Sequence, residues 1–283
     1  MRIIRTTQAL RTWRRRHDPL RTSIGVVPTM GALHAGHRSL IKRARRTCQT
    51  VVVSIFVNPL QFGPTEDYRR YPRDLSQDLA CCREENVDLV FIPKVDTLYP
   101  HDFQTTVAVK SLAQRWEGEY RPTHFQGVTT IVTKLLNLVR PAHAFFGQKD
   151  YQQFCVIRQL VKDLDLDTRI TLCPTIRDAD GFALSSRNHY VTPSQRQRAL
   201  ALYQALSAGK AAIAGGMRRA DLVEQKMAKV LDARHGLAID YLACCDARTL
   251  EPLARLRGTV VLLGAIRIGG IRFIDNLIVR IRR

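Results

Sequence analysis

Ile24-Gly25-Val26-Val27-Pro28-Thr29-Met30-Gly31-Ala32-Leu33-His34-Ala35-Gly36-His37 is the stretch that decides the fold. Ile24–Val27 is a short apolar run rich in β-branched residues and reads as a buried strand. Pro28–Gly36 reads as a loop, and Arg38–Thr47 as a helix. A strand running through a glycine-bearing loop into a helix places a helix N-terminus at a strand end. There the unpaired N–H groups and the positive end of the dipole suit phosphate. Gly36 allows close approach of backbone to a ligand. His34 and His37 stand three residues apart in an HxGH pattern, so both imidazoles can donate to one phosphate group. Taken alone, such a pair could be half of a metal site or two ordinary surface histidines. The strand–loop–helix context favours phosphate, with His34, Gly36 and His37 as the residues that carry it.

Outward from this stretch the pattern repeats. Ile3 and Ile4, Val51–Val57, Asp88–Ile92, Ala142–Phe146 and Ile170–Leu172 read as further strands. Leu75–Glu85, Val128–Val139 and Gln152–Leu164 read as helices. Continuous apolar strands alternating with helices predict a parallel sheet covered on both faces. The fold class is therefore α/β, a Rossmann-like doubly wound parallel sheet, with ligands beyond the carboxyl ends of the strands. The character then changes. Pro193–Ala214 and Ala220–Arg234 read as helices broken at Gly215-Gly216, and Ile239–Ala243, Thr259–Ile268 and Ile271–Asn276 as strands. The expected division is a first domain over residues 1–175 and a smaller C-terminal α+β domain over 176–283.

Three further motifs carry chemistry. Leu184-Ser185-Ser186-Arg187-Asn188 sets two hydroxyls beside a guanidinium, an arrangement suited to wrapping a triphosphate, with Gly181 as its expected hinge. Phe146-Gly147-Gln148-Lys149-Asp150 follows a strand. There Lys149 can neutralise phosphate charge and Asp150 can accept from ribose hydroxyls or cap the next helix. Phe56-Val57-Asn58-Pro59-Leu60-Gln61-Phe62 also follows a strand and offers the neutral amides Asn58 and Gln61 among apolar neighbours, suited to a small hydroxy acid. An HxGH followed far downstream by a Ser/Arg loop is a signature of the nucleotidylyl-transfer superfamily.

The bulk properties bound the answer. The chain has 283 residues, 45% of them hydrophobic and 24% charged, an ordinary globular composition. No run approaches the roughly 20 apolar residues that span a bilayer, so no membrane association is expected. The seven cysteines include no CxxC pair and read as free thiols of a reducing cytoplasm. The net charge of +19 is divided as +10 over residues 1–174 and +9 over 175–283. Because it is spread along the chain with no aromatic-interleaved RNA motif, it reads as a solvated basic surface, with no specific nucleic-acid partner. The Arg-rich start reads as a strand and a basic helix carrying Leu10 and Trp13, in preference to a transit peptide.

Together with Tyr71-Pro72-Arg73 and Arg121-Pro122-Thr123-His124-Phe125, these motifs stand in the order seen in the pantothenate synthetases. The chain resembles that family from its first strand to about residue 192, and more weakly on to Ile274-Asp275-Asn276. The resemblance implies condensation of pantoate with β-alanine at the expense of ATP, through a pantoyl adenylate. It implies ATP binding by Met30 to His37, Gly147, Gln148, Lys149, Asp150, Ile176, Leu184, Ser185, Ser186 and Arg187. It further implies pantoate binding by Gln61 and Gln153, His37 as proton donor, Mg²⁺ accompanying the nucleotide, a homodimer, and a C-terminal lid. His34 and Lys149 join His37 as catalytic candidates. Two departures stand out. Gln148 replaces the family's usual glutamate, and the carboxylates near the expected metal region, Asp74 and Asp78, give no definite ligand set. Two other readings stay open: another HxGH nucleotidylyl transferase, and a basic RNA-binding protein.

Overall fold

The computed structural model describes residues 1–17, 22–64 and 66–281. Its described strands are β1 (Arg2–Ile4), β2 (Ile24–Thr29), β3 (Thr50–Ile55), β4 (Leu89–Phe91), β5 (His143–Gly147), β6 (Arg169–Cys173), β7 (Ala238–Asp246), β8 (Thr259–Ile268) and β9 (Ile271–Arg280). Its helices are α1 (Thr7–Arg15), α2 (Ala35–Thr47), α3 (Leu75–Glu84), α4 (Val95–Leu98), α5 (Glu117–Tyr120), α6 (His124–Val139), α7 (Tyr151–Asp163), α8 (Pro193–Ala214) and α9 (Ala220–Asp232). None of the described helices is long and apolar enough to cross a membrane.

The chain divides into two compact units. One comprises residues 1–148, 152–176 and 185–187, and the other residues 149–151, 177–184 and 188–283. The first holds a six-stranded sheet in the order β1-β4-β3-β2-β5-β6, and every pairing in it is parallel. β2 and β3 explain why parallel strands read as unbroken apolar runs. Val26, Val27, Val51, Val52 and Val53 are wholly buried, because helices cover both sheet faces. The strand order reverses between β2 and β5, which puts the ends of those two strands, Thr29 and Gly147, at the switch point.

Among the boundaries that differ from the sequence reading, those of β2, α2 and α6 have a clear physical reason. β2 runs through Pro28, which pairs with Ser54. Its ladder to β5 ends at Val26, so beyond that point β2 is paired on one side and can hold a residue without an N–H. α2 starts at Ala35 and not at Arg38, because His34 caps it. α6 starts at His124, ahead of the apolar spacing that begins at Val128. Gly127 serves a close approach: a Cβ there would lie 2.2 Å from the carbonyl oxygen of Leu60.

The second unit holds the antiparallel sheet β7-β8-β9. Gly269 and Gly270, both at positive φ, close the β8–β9 hairpin between the paired Ile268 and Ile271, the backbone a two-residue turn of this type requires. Leu202 and Leu206 of α8, Met227 and Leu231 of α9, and Leu262 and Ile266 of β8 form its core. Gly181, expected as a hinge, lies in a held turn. Its carbonyl accepts from Arg177, Arg196 pairs with both Asp178 and Asp180, and a Cβ on Gly181 would overlap the Tyr203 ring.

Candidate active site

The HxGH turn lies at the end of β2 in the first unit. His34 is the N-cap of α2, and its Nδ1 accepts from the Gly36 N–H at 3.1 Å. The His34 N–H in turn donates to Nδ1 of His37, at 3.4 Å. This is a capping box made of two imidazoles in place of the usual hydroxyl and carboxylate. Gly36 is required, since a Cβ there would meet the His34 ring at 2.7 Å. The ring centroids of His34 and His37 are 4.2 Å apart. Because each Nδ1 accepts, each neutral ring carries its proton on Nε2. The backbone N–H groups expected to face phosphate are largely spent inside the turn, so the imidazole rings are the side chains this motif brings to a ligand.

Burial, with the neighbouring His34, pushes His37 down to about 3. His37 is therefore a neutral hydrogen-bond donor at physiological pH and not an imidazolium. Its folded proton affinity lies below the ordinary value of 6.5. Unfolded chains accordingly take up a proton that the folded state refuses as pH falls through 6.5. His37 thus contributes stability that is present above pH 6.5 and is lost progressively between 6.5 and about 3. Denaturant unfolding of wild type and His37→Asn should show wild type losing at most about 1.4 kcal/mol more per pH unit below 6.5. Parallel pH profiles would contradict this protonation state.

Behind the turn stands a residue the sequence reading left without a role. Asp78 of α3 is 2% exposed, and its carboxylate accepts from the N–H groups of Ala32 at 3.1 Å and Leu33 at 2.7 Å. Asp74 is the N-cap of α3, accepting from Gln77. Asp78 is thus committed to backbone through both oxygens, whereas Asp74 uses Oδ1 alone. No group of three or more His, Cys, Asp or Glu residues suited to a metal ion occurs among the described residues.

The amides divide into two roles. Asn58 is 1% exposed. It donates to Gln61 Oε1 at 3.1 Å and the Gly127 carbonyl at 3.0 Å, and accepts from the Tyr99 hydroxyl and the Leu60 N–H. Its two donors and its oxygen are all engaged within the protein. Asn58 positions Gln61. Gln61 also donates to Met30 Sδ, while its carbonyl accepts from His124 Nδ1 at 2.9 Å and Arg121 at 3.3 Å. Gln153, on α7, is half-buried with no hydrogen bond among the described residues, so its amide remains available. Its neighbour Gln152 is spent on the backbone of Leu112, Arg115 and Glu117.

Ser185, Ser186 and Arg187 belong to the first unit although both flanks belong to the second. Ser186 Oγ donates to the Ala32 carbonyl at 3.2 Å. Ser185 Oγ accepts from the Arg187 N–H. Arg187 forms a two-pronged pair with Asp67, at 2.8 and 2.9 Å. Burial alone would raise Asp67, but the hydrogen bonds and charge of Arg187 outweigh it and hold that carboxyl below its ordinary range. The pairing leaves Nη1 of Arg187 outside the fork. Gly147 ends β5 with nothing within 4 Å of where a Cβ would project.

In the second unit, Lys149 Nζ lies 3.8 Å from Asp150, and its carbonyl accepts from Asn276 at 2.9 Å. Asp275, 6% exposed, grips Arg177 at 2.7 and 2.8 Å. These contacts account for the motif Ile274-Asp275-Asn276. Ile176 and Leu184, half-buried, bracket the Asp178–Phe182 turn.

A doubly wound parallel sheet with an HxGH turn at its switch point defines an α/β protein of the nucleotidylyl-transferase type. Known proteins narrow this class. Residues 2–278 match the family model described as pantoate-beta-alanine ligase. The chain is 46% identical over 278 residues to a pantothenate synthetase of Thermotoga petrophila, covering 98% of this chain and 99% of that one. The crystal structure of pantothenate synthetase from Thermus thermophilus superposes with a TM-score of 0.94 at 45% identity, covering 98% and 99% of the two chains. A pantoate-beta-alanine ligase of Francisella tularensis, solved in complex with beta-gamma ATP and beta-alanine, gives 0.81 at 35% identity, covering 98% and 97%. The chain belongs to the pantoate–β-alanine ligase family and is a ligase.

Proposed function

We propose that this ligase condenses pantoate with β-alanine in two steps, using ATP. In the first, a pantoate carboxylate oxygen attacks the α-phosphorus of ATP, forming pantoyl adenylate and releasing pyrophosphate. In the second, the β-alanine amine attacks the activated acyl carbon, the C–O bond to AMP breaks, and the amine loses its proton to form the amide of pantothenate.

The observation that carries this reading is the paired imidazoles at the start of α2, each anchored through Nδ1 by a backbone N–H. Phosphoryl chemistry asks for charge stabilisation and positioning more than for covalent catalysis. Neutral donors fixed by the backbone meet that demand without reorganising. Lys149, Ser185, Ser186 and the free prong of Arg187 add donors and positive charge for the phosphates. The open space over Gly147 accords with nucleotide approach along Gly147, Gln148 and Asp150, with Ile176 and Leu184 as further contacts. Gln61, fixed by Asn58, and Gln153 supply amide donors for the pantoate carboxylate and hydroxyls.

Asp78 is engaged by backbone N–H groups through both carboxylate oxygens and Asp74 through one, so no protein ligand set for Mg²⁺ is assigned. Mg²⁺ would arrive as part of the nucleotide substrate, on the phosphates, and no step is assigned to it. A C-terminal lid over residues 176–283, excluding water from the adenylate, rests on the family likeness, as does a homodimer. The seven cysteines are buried free thiols, which accords with a cytoplasmic setting. The even spread of the +19 charge supports the absence of a sequence-specific nucleic-acid partner.

Pantoate labelled with ¹⁸O in its carboxylate should deliver one label to AMP on each turnover. Label in inorganic phosphate instead, with ADP as product, would replace the adenylate by an acyl phosphate.

A further inference from the structure

The turn between β2 and α2 satisfies its backbone almost entirely with side chains, and one of them dominates. The Gly31 N–H donates to Thr29 Oγ1 at 3.2 Å. The N–H groups of Ala32 and Leu33 both donate to Asp78. The Ala32 carbonyl accepts from Ser186. Ala32 itself has φ 50, a left-handed backbone that a residue with a Cβ adopts at a cost and keeps only where its surroundings insist. Gly31, at φ 82, lies so close to Asp78 that a Cβ would stand 2.7 Å from Oδ2. Asp78 therefore presses against one peptide of the turn and binds the next two.

We propose that Asp78 is a positioning residue of the ligase reaction: its buried carboxylate holds the Ala32–Leu33 turn, and so sets the capping geometry that fixes His34 and His37. Two features distinguish this from ordinary packing. A carboxylate accepting two adjacent N–H groups is an anion-holding arrangement turned inward, with the protein supplying its own anion. The peptide after Leu33 is that of His34, whose N–H and ring Nδ1 form the imidazole capping box. The Asp78 carboxyl, raised by its burial and lowered by the two backbone hydrogen bonds, has no substrate-facing task in this arrangement. The inference rests on the phosphate role proposed for the two histidines.

Asp78→Asn tests it, because an amide presents an acceptor to one N–H and a repelling N–H to the other. Turnover should fall about 10²-fold, the scale of a displacement near 1 Å, while KM for β-alanine changes less than about threefold. The readout that plain destabilisation does not move is the His37 ring. Followed by NMR in the free enzyme, it should begin to titrate between pH 5 and 7, whereas it stays flat in wild type. Val53→Ala, a buried β3 variant, is the control for lost stability alone and should leave the ring flat. Adding Ala32→Gly relaxes the left-handed position and should recover at least threefold of the lost turnover. Asp78→Ser gives the same readings should the asparagine variant fail to fold. Activity that follows the folded fraction as in Val53→Ala, or a His37 ring that stays flat in a folded Asp78 variant, overturns the proposal. Wild-type turnover in His34→Ala and His37→Ala would instead remove the phosphate role beneath it.

Discussion

Alanine at His34 or His37 should lower turnover by about 10²- to 10³-fold, the range for loss of one preorganised donor at a centre of developing charge. The two residues also have a structural duty, and the two contributions separate. His34 is the N-cap of α2, so His34→Ala should cost about 1 kcal/mol of stability, far too little to account for that loss in a folded enzyme. His34→Asn makes the distinction sharp. Asparagine is a strong N-cap and should restore the stability, yet it carries no donor at the position of Nε2, so turnover should stay low. Thermal melts beside steady-state rates give both quantities. Near-normal turnover in either alanine variant, or recovery of rate along with stability in His34→Asn, would reduce the pair to a capping device.

Lys149→Ala should remove most of the adenylation step, by about 10²-fold or more. Negative charge grows on the pyrophosphate as it leaves, and Lys149 is the cation in the segment that follows β5. Its Asp150 partner, 3.8 Å away, is a loose ion pair that a triphosphate can displace at small cost. Gln148 occupies the position where the family usually has glutamate. Restoring Glu there should change the rate only modestly, because a neutral amide can still orient Lys149. A Lys149→Ala enzyme with near-wild-type adenylation would shift the charge-stabilising role to the histidines and Arg187.

Much of this was legible in the sequence. β2, β3 and β5 were readable because strands buried on both faces become continuous apolar runs, and α8 because Thr192 and Pro193 mark its start. The starts of α2 and α6 were not, since Gly36, His37 and Gly127 carry no apolar periodicity. Their helical state depends on a cap and on a close backbone approach. The position of HxGH at a strand end was visible, but the anchoring of each ring through Nδ1 by a backbone N–H was not. The partners Asp78 and Ala32, or Arg187 and Asp67, lie 46 and 120 residues apart, and only the tertiary fold joins them. Asn58 and Gln61 look equivalent as amides. Both are buried, and only their hydrogen-bond partners in the fold tell them apart.

The central claim is that adenylation precedes the amine. Isotope exchange between pyrophosphate and ATP tests it most directly, measured with Mg²⁺ and pantoate but without β-alanine. Exchange that requires pantoate and proceeds in full without β-alanine is the predicted result; exchange that appears only when β-alanine is present would contradict it.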